Sequence, residues 1–232
     1  MMQIVARLYG DFPGKFGLPR QSGLAPDLRS LIVFEPEFRD VNLLRGIEEF
    51  SHLWLVWQFS QNLAAGFSPT VRPPRLGGNQ RRGVFATRSP VRPNALGLSA
   101  VRLLDVEWQS PLGPLLCVGG ADLADGTPIF DIKPYVPVAD CIPTATGGFS
   151  DAARDYRLPV SCPPPLLDKL PVDKRAGLLQ ALALDPRPAY QDDPARVYAC
   201  DYAGHKISFR VQGGMLTVCG VEAEHPPCGR DG

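Results

Sequence analysis

The longest absence in this 232-residue sequence is of negative charge: no Asp or Glu occurs from Phe50 to Leu104. Over the whole chain acids and bases balance at 24 each, so the acid-free run is a local positive field and the chain is not a polycation. Grip on nucleic acid by bulk charge is thereby excluded, and any such binding must come from a patch. Histidine is scarce, with only His52, His205 and His225, and none of the six cysteines forms a Cys-x-x-Cys pair. Zinc-site spacing is therefore missing, and no metal is expected. No apolar run reaches the roughly 20 residues a membrane helix needs. No Gly-x-Gly-x-x-Gly follows a strand and no Gly-x-x-x-x-Gly-Lys-Ser/Thr loop occurs, which argues against a Rossmann cofactor site or a nucleotide-triphosphate loop. Ser51-His52 has the residue types of a nucleophile and its base. Neighbours in a strand point to opposite faces, so the pair is set aside and His52 is read as structural. The thiols are read as reduced and the protein as cytoplasmic, since no secretion segment is seen before the first strand.

What fills the acid-free run is arginine. The stretch Thr70 to Asn94 reads TVRPPRLGGNQRRGVFATRSPVRPN and holds Arg72, Arg75, Arg81, Arg82, Arg88 and Arg92. Pro73, Pro74, Pro90 and Pro93 forbid a regular helix, and Gly77-Gly78 permits backbone angles that other residues resist. The arginines are thus expected on a stiffened loop and a short strand, Gly83 to Ser89, in which Val84, Ala86 and Arg88 share a face. Guanidinium forks onto phosphate or carboxylate and stacks on bases, so an anionic partner fits better than plain solvated surface.

Along the chain, Gln3–Tyr9 and Leu28–Glu35 read as strands around a Gly/Pro-rich loop that contains Pro19-Arg20-Gln21. Asp40 is placed to cap a short helix through about Phe50. Ser51–Gln61, Gly97–Trp108, Leu115–Leu123 and Thr127–Pro137 read as further strands, with Asp125-Gly126 as a hairpin signal. At least seven strands and one helix before about residue 140 make the fold mainly β, an antiparallel closed barrel or sandwich. A Pro/Gly-rich linker at 146–170 separates a first domain, 1–145, from a second at 171–224. The second is a small helix-plus-hairpin module: Asp173–Leu184 as an amphipathic helix, then strands at 196–202, 206–212 and 215–222. A tail, 225–232, ends the chain.

Two carboxylate features stand out. Asp122 and Asp125 flank a turn, where Asp-Gly is favoured for backbone reasons alone. Asp131, Lys133 and Tyr135 share one strand face, with Phe130 and Ile132 on the other. That stripe is either a proton-taking or cation-binding pair, Asp131 and Tyr135, or a plain Asp131–Lys133 ion pair on a wet face.

Taken together, PRQ at 19–21, RGIEEFSHLWL at 45–55, PTVRPPRLGGN at 69–79, GVFATRSPVRPN at 83–94 and DLADGTPIFDIKPYVP at 122–137 resemble the TsaA/TrmO family of tRNA adenosine N6-methyltransferases. DPRPAY at 185–190 resembles the extra C-terminal domain of bacterial members. The resemblance implies a single-sheet β-barrel that binds S-adenosylmethionine without a Rossmann fold. It also implies a homodimer that methylates N6 of threonylcarbamoyladenosine, 3′ of the anticodon. By position, it implies cofactor contacts at Pro19, Arg20, Gln21, Ser60, Gln61, Arg88, Leu98, Asp125, Gly126, Thr127 and Pro128. Arg72, Arg75, Arg81, Arg82, Arg92 and Asn94 would then meet the tRNA anticodon stem-loop, and Asp131 or Tyr135 would assist proton loss. Two positions depart from the pattern: Ser60, where many relatives have His, and Ala95, where Pro is common. The competing reading is a non-catalytic RNA-binding barrel, told apart by a saturable S-adenosylmethionine site.

Overall fold

The computed structural model describes residues 2–73, 80–153, 156–188 and 193–224. Six strands close into an antiparallel barrel in the order β1-β2-β7-β6-β3-β8. They are β1 (Ala6–Tyr9), β2 (Arg29–Phe34), β3 (His52–Gln58), β6 (Leu96–Glu107), β7 (Leu115–Gly119) and β8 (Thr127–Pro134). Alternation decides what fills it. Leu53, Leu55 and Trp57 of β3 point inward and are buried, as are Ala6 and Leu8 of β1 and Ile32 and Phe34 of β2. Closure leaves none of these strands with an open edge.

Two irregularities set the phase of the wall. At Trp57 the pairing with β8 skips Phe130, a bulge that lets Ile129 and Ile132 both reach the core although they are three apart. The expectation that Phe130 and Ile132 share the face opposite Asp131 therefore fails at Phe130. A second slip in β6, between Leu103 and Asp105, bends the long strand where it leaves the barrel.

Three expected elements differ in kind. The helix after Asp40 is two short 3-10 turns, Val41–Leu44 and Ile47–Glu49. Asp40 does cap the first, accepting from Asn42 N at 2.9 Å. Gly46, at φ +83°, breaks the path before a helix can propagate. Gly83–Ser89 is not a strand: the two-residue ladder β4 (Thr70–Val71) with β5 (Arg82–Gly83) gives way to a 3-10 turn, Val84–Ala86. Both the amide and the hydroxyl of Thr87 bond the Val84 carbonyl, holding the turn. Nor does Asp125-Gly126 make a hairpin. β7 pairs with β2 and β6, and β8 with β1 and β3, so the turn starts a strand that crosses to the far side.

The second core begins earlier than residue 171. Within the stretch read as linker, β9 (Val160–Ser161) lies parallel to β12 (Met215–Ala223). The short helix α1 (Pro137–Asp140) follows the barrel and α2 (Pro164–Leu167) lies beside β12. The sheet order is β10-β11-β12-β9, with β10 at Tyr198–Tyr202 and β11 at His205–Gln212. Helix α3 (Val172–Ala183) covers it through Leu178, Ala181 and Leu182, all at most 1% exposed. Leu158 and Leu170 are buried in the same cluster, and so are Phe12, Ala25 and Leu28 from the loop between β1 and β2. That loop, Gly10–Leu28, belongs to both halves of the molecule.

Candidate active site

The shared loop carries Pro19-Arg20-Gln21, and its barrel side meets the other expected cofactor residues. Gln61 Nε2 donates to the Pro13 carbonyl at 3.0 Å. Asp125 N donates to the Phe12 carbonyl at 2.8 Å, while the Asp125 carboxylate accepts from Gly10 N at 3.0 Å. Arg88 Nη1 donates to Gln21 Oε1 at 2.5 Å. Gln21, Gln61, Arg88 and the Asp125 to Pro128 turn are thus drawn to one end of the barrel by bonds to a single loop. Pro19 is buried in that loop, and Arg20 donates to the Arg187 carbonyl at 3.2 Å.

The turn is rigid. Gly126 sits at φ +72° with open space around its α-carbon, so glycine is there for its backbone angle rather than for close approach. Thr127 is buried and its hydroxyl donates to the Ala124 carbonyl at 2.6 Å. Pro128 stands opposite Arg7 of β1, where a missing amide donor is tolerated at the start of a strand. Ser60 opens a 3-10 turn just after Phe59, whose amide bonds the Ala95 carbonyl at 2.8 Å. The Ala95 link uses a carbonyl, which proline would offer equally.

A buried chain that the sequence reading left outside the site runs beneath these loops. Trp57 Nε1 donates to Ser99 Oγ at 2.9 Å, and Ser99 Oγ donates to Asp122 Oδ1 at 2.6 Å. Ser99 is 1% exposed. Burial pushes the Asp122 carboxyl above its ordinary value, against the downward pull of the Ser99 hydroxyl, backbone amides including that of Ser22, and the Arg88 charge. Asp122 is thus anchored to the barrel wall by Ser99 and sits in the field of the Arg88 charge. The signal was present in the sequence: Ser99 falls on the inward phase of an apolar strand, where a hydroxyl needs a partner. Gly97, one position into the same strand, makes room for the Trp57 ring.

Outside the barrel, Leu98, Val56 and Asp131 stand side by side in register on β6, β3 and β8, and Leu98 is 56% exposed. Asp131 bonds Lys133 Nζ at 2.8 Å and accepts from Ile132 N at 2.9 Å. Tyr135 is not beside it. Its amide bonds the His52 carbonyl, and its ring packs 5.5 Å from Trp54 and 6.3 Å from His52. Four strand positions put the two residues roughly 13 Å apart along the wall. Ser51 precedes β3 and turns back, so its Oγ lies 2.9 Å from His52 Nδ1, contrary to the opposite-face expectation. Both residues are exposed, and His52 lies on the outer face beside the Tyr135 ring.

The arginines line the hairpin and the turns after it. Arg72, Arg81 and Arg82 are exposed; Arg81 bonds Thr70 Oγ1 and Arg82 bonds Gln80. Arg82 also lies 5.6 Å from the Phe149 ring centroid. Arg92 is half-buried and reaches the Thr87 carbonyl, while Asn94 is exposed and its carbonyl accepts from Leu96 N. Arg75 lies outside the described residues. Among the described residues, none of these arginines is paired with a carboxylate, which leaves their charge available to an anion.

Known proteins agree with this architecture along nearly the whole chain. Residues 7–141 match the family described as tRNA-methyltransferase O N-terminal domain, and residues 167–224 match the TrmO C-terminal domain. A tRNA (adenine(37)-N6)-methyltransferase of Escherichia coli strain K12 is 38% identical over 216 residues, covering 90% of this chain and 92% of that protein. A protein of the same name from Eikenella corrodens is 46% identical over 175 residues, 75% of this chain and 98% of its own length. The crystal structure of TrmO from Pseudomonas aeruginosa superposes with a TM-score of 0.78 at 31% identity, over 96% of this chain and 98% of that one. With family matches spanning both modules, the chain belongs to the TrmO family.

Proposed function

We propose that this protein is an S-adenosylmethionine-dependent tRNA methyltransferase acting on N6 of the adenosine at position 37, and that it accepts that base as threonylcarbamoyladenosine. The observation that carries this reading is the meeting of Gln21, Gln61, Arg88 and the Asp125 to Pro128 turn on one loop, in a chain whose relatives from Escherichia coli and Eikenella corrodens are named tRNA (adenine(37)-N6)-methyltransferases.

The residues present suit the cofactor's charges. Arg88 offers a guanidinium for a carboxylate, and Asp122 and Asp125 offer negative charge for an amino group or sulfonium. Bound there, S-adenosylmethionine supplies an electrophilic methyl group; the protein's part is to orient it and to shape the field around it. Gln21 holds Arg88, while Gly10 N and Phe12 hold the Asp125 turn, so both ends of the site are set before ligand arrives. Methyl transfer is an in-line displacement, in which such positioning is much of the catalysis. The acceptor nitrogen is conjugated to a purine and a carbamoyl group and is a poor nucleophile. Asp131 or Tyr135 assists loss of its proton. Asp131 shares its row with Leu98, whereas Tyr135 lies further along the wall. Arg72, Arg75, Arg81, Arg82 and Arg92, with Asn94, hold phosphates of the anticodon stem-loop and the threonyl carboxylate. The protein acts as a cytoplasmic homodimer; Leu98, Phe85 and Val138, at 56%, 80% and 94% exposed, supply apolar surface for a partner copy.

The test is turnover of the Asp131→Asn and Tyr135→Phe variants and of the double variant on tRNA carrying threonylcarbamoyladenosine. A loss of at least about a hundredfold in the double variant is expected for a general base. Unchanged turnover would remove both residues from the mechanism while leaving the cofactor site untouched.

A further inference from the structure

The loop that carries Pro19-Arg20-Gln21 is held from behind by the C-terminal module, at positions spread along its whole length. Phe12 packs on Tyr202 with ring centroids 4.8 Å apart, and Phe16 stacks on Phe209 at 6.4 Å. Lys174 Nζ lies 2.9 Å from the Asp11 carboxylate, and Ala203 N donates to the Asp11 carbonyl at 2.8 Å. Gln180 bonds Asp27 twice, to its backbone amide at 2.9 Å and its carboxylate at 2.6 Å. Gly177 lets α3 settle on this loop: a β-carbon there would meet Leu28 at 2.9 Å and the Asp27 carbonyl at 3.0 Å. Phe12, Ala25 and Leu28 count among the buried residues of the C-terminal core, not of the barrel core.

The same loop faces the barrel through Gln61, Arg88 and the Asp125 turn. We infer that the C-terminal module is the back wall of the cofactor site, so that S-adenosylmethionine binding and the packing of this module on loop Gly10–Leu28 are thermodynamically coupled. This rests on the reading of Gln21, Gln61, Arg88 and the Asp125 turn as the cofactor site. The physical basis is plain. A chain of 19 residues rich in Gly and Pro has no internal ladder of its own, and ordering it costs backbone and side-chain entropy at every residue. The module meets that cost through side-chain burial, so a ligand needing the loop in one shape favours the docked module. By reciprocity the docked module raises ligand affinity by the same factor. Positioning residues on the module side are Lys174, Gly177, Gln180 and Tyr202, none of which touches the ligand-facing side of the loop.

Hydrogen exchange of the full-length wild-type chain, with and without saturating S-adenosylmethionine and in the absence of RNA, tests this directly. Binding is first established by calorimetry. Slower exchange in α3 and β10, both outside the ligand-facing loops, is the expected result. Binding with no slowing there would overturn the coupling, while absence of any binding to wild type would instead overturn the cofactor reading on which it rests. A second measurement uses Lys174→Met, which removes one tether, beside Lys169→Met, which removes a bond to the Val221 carbonyl inside the module and touches no part of the loop. Cofactor affinity is expected to fall at least about fivefold in the first and to stay within twofold in the second. Equal affinities in both variants and wild type would refute the inference. Lys174→Arg, which keeps the charge, is expected to restore most of the loss.

Discussion

Gly97→Ala is the most severe small change available to the barrel. A β-carbon on Gly97 would lie 2.2 Å from Trp57 Cε2, 2.4 Å from Cζ2 and 2.7 Å from Cδ2. Ordinary carbon contacts need about 3.5–4 Å, so the indole must retreat by roughly 1.5 Å. It has nowhere easy to go: Trp57 is 6% exposed and Phe59 sits 4.3 Å away, ring centroid to ring centroid. Retreat also breaks the Trp57–Ser99 hydrogen bond at 2.9 Å. Overpacking costs about 1–3 kcal/mol and the lost bond about 1 more, together about 2–4 kcal/mol. At about 2–4 °C per kcal/mol for a chain of this size, Tm should fall by about 5–15 °C. The assay is thermal unfolding followed by tryptophan fluorescence. All three tryptophans (Trp54, Trp57 and Trp108) precede the C-terminal module, so the signal reports the barrel alone. Cofactor affinity should fall in parallel, because Ser99 holds Asp122. Gly126→Ala is the companion, with open space and φ +72°, and should cost only the left-handed strain of about 1–2 kcal/mol. A Gly97→Ala barrel melting within about 1 °C of wild type would refute the placement of the Trp57 ring.

Other outcomes follow from single sites. Burial raises the Asp122 carboxyl, so the folded state holds a proton that the unfolded chain has released; stability therefore falls as pH rises from 3.8 through the raised folded value. Asp122→Asn should lose that slope, and Tm measured against pH for the two proteins checks it; parallel curves would contradict the assignment. Replacing Arg81 or Arg82 with Gln should weaken tRNA binding at all sequences and lower the log–log salt slope by about 1 each, as read by filter binding over a salt series. Burial pushes the Cys200 thiol up to about 12. Exposed Cys141 and Cys219 should accordingly be alkylated by iodoacetamide in the native protein while Cys200 is spared, as mass spectrometry of peptides would show.

The strands were legible because each buries one face, and a period of two survives translation into sequence: Leu53, Leu55 and Trp57 announce β3. The same holds for α3 and for the β11–β12 hairpin at Gly213-Gly214, whose positive φ values require glycine. What failed were places where backbone chemistry overrides the pattern. Gly46 stops a helix that Leu43 and Leu44 suggest, Thr87 folds back a strand that Val84 and Phe85 suggest, and the Phe130 bulge shifts a face by one. β9 is two residues long and is held by β12, so no local signal marks it. At the site, the resemblance supplied residues that do converge on one loop: Gln21, Gln61, Arg88 and the Asp125 turn. It did not show that Asp131 and Tyr135 are spread along the wall. Nor did it bring in Asp122, whose importance comes from Ser99 and Trp57 beneath it. Those partners lie 23 residues apart and further, a separation that no reading of neighbours recovers.

The central claim is tested by methyl transfer from labelled S-adenosylmethionine into two pools of total tRNA. One carries threonylcarbamoyladenosine without its methyl group, and the other lacks the carbamoyl modification as well. Label entering the first pool and not the second is the predicted result. Label in neither pool, from purified protein that also fails to bind S-adenosylmethionine, would contradict the account and leave an RNA-binding barrel in its place.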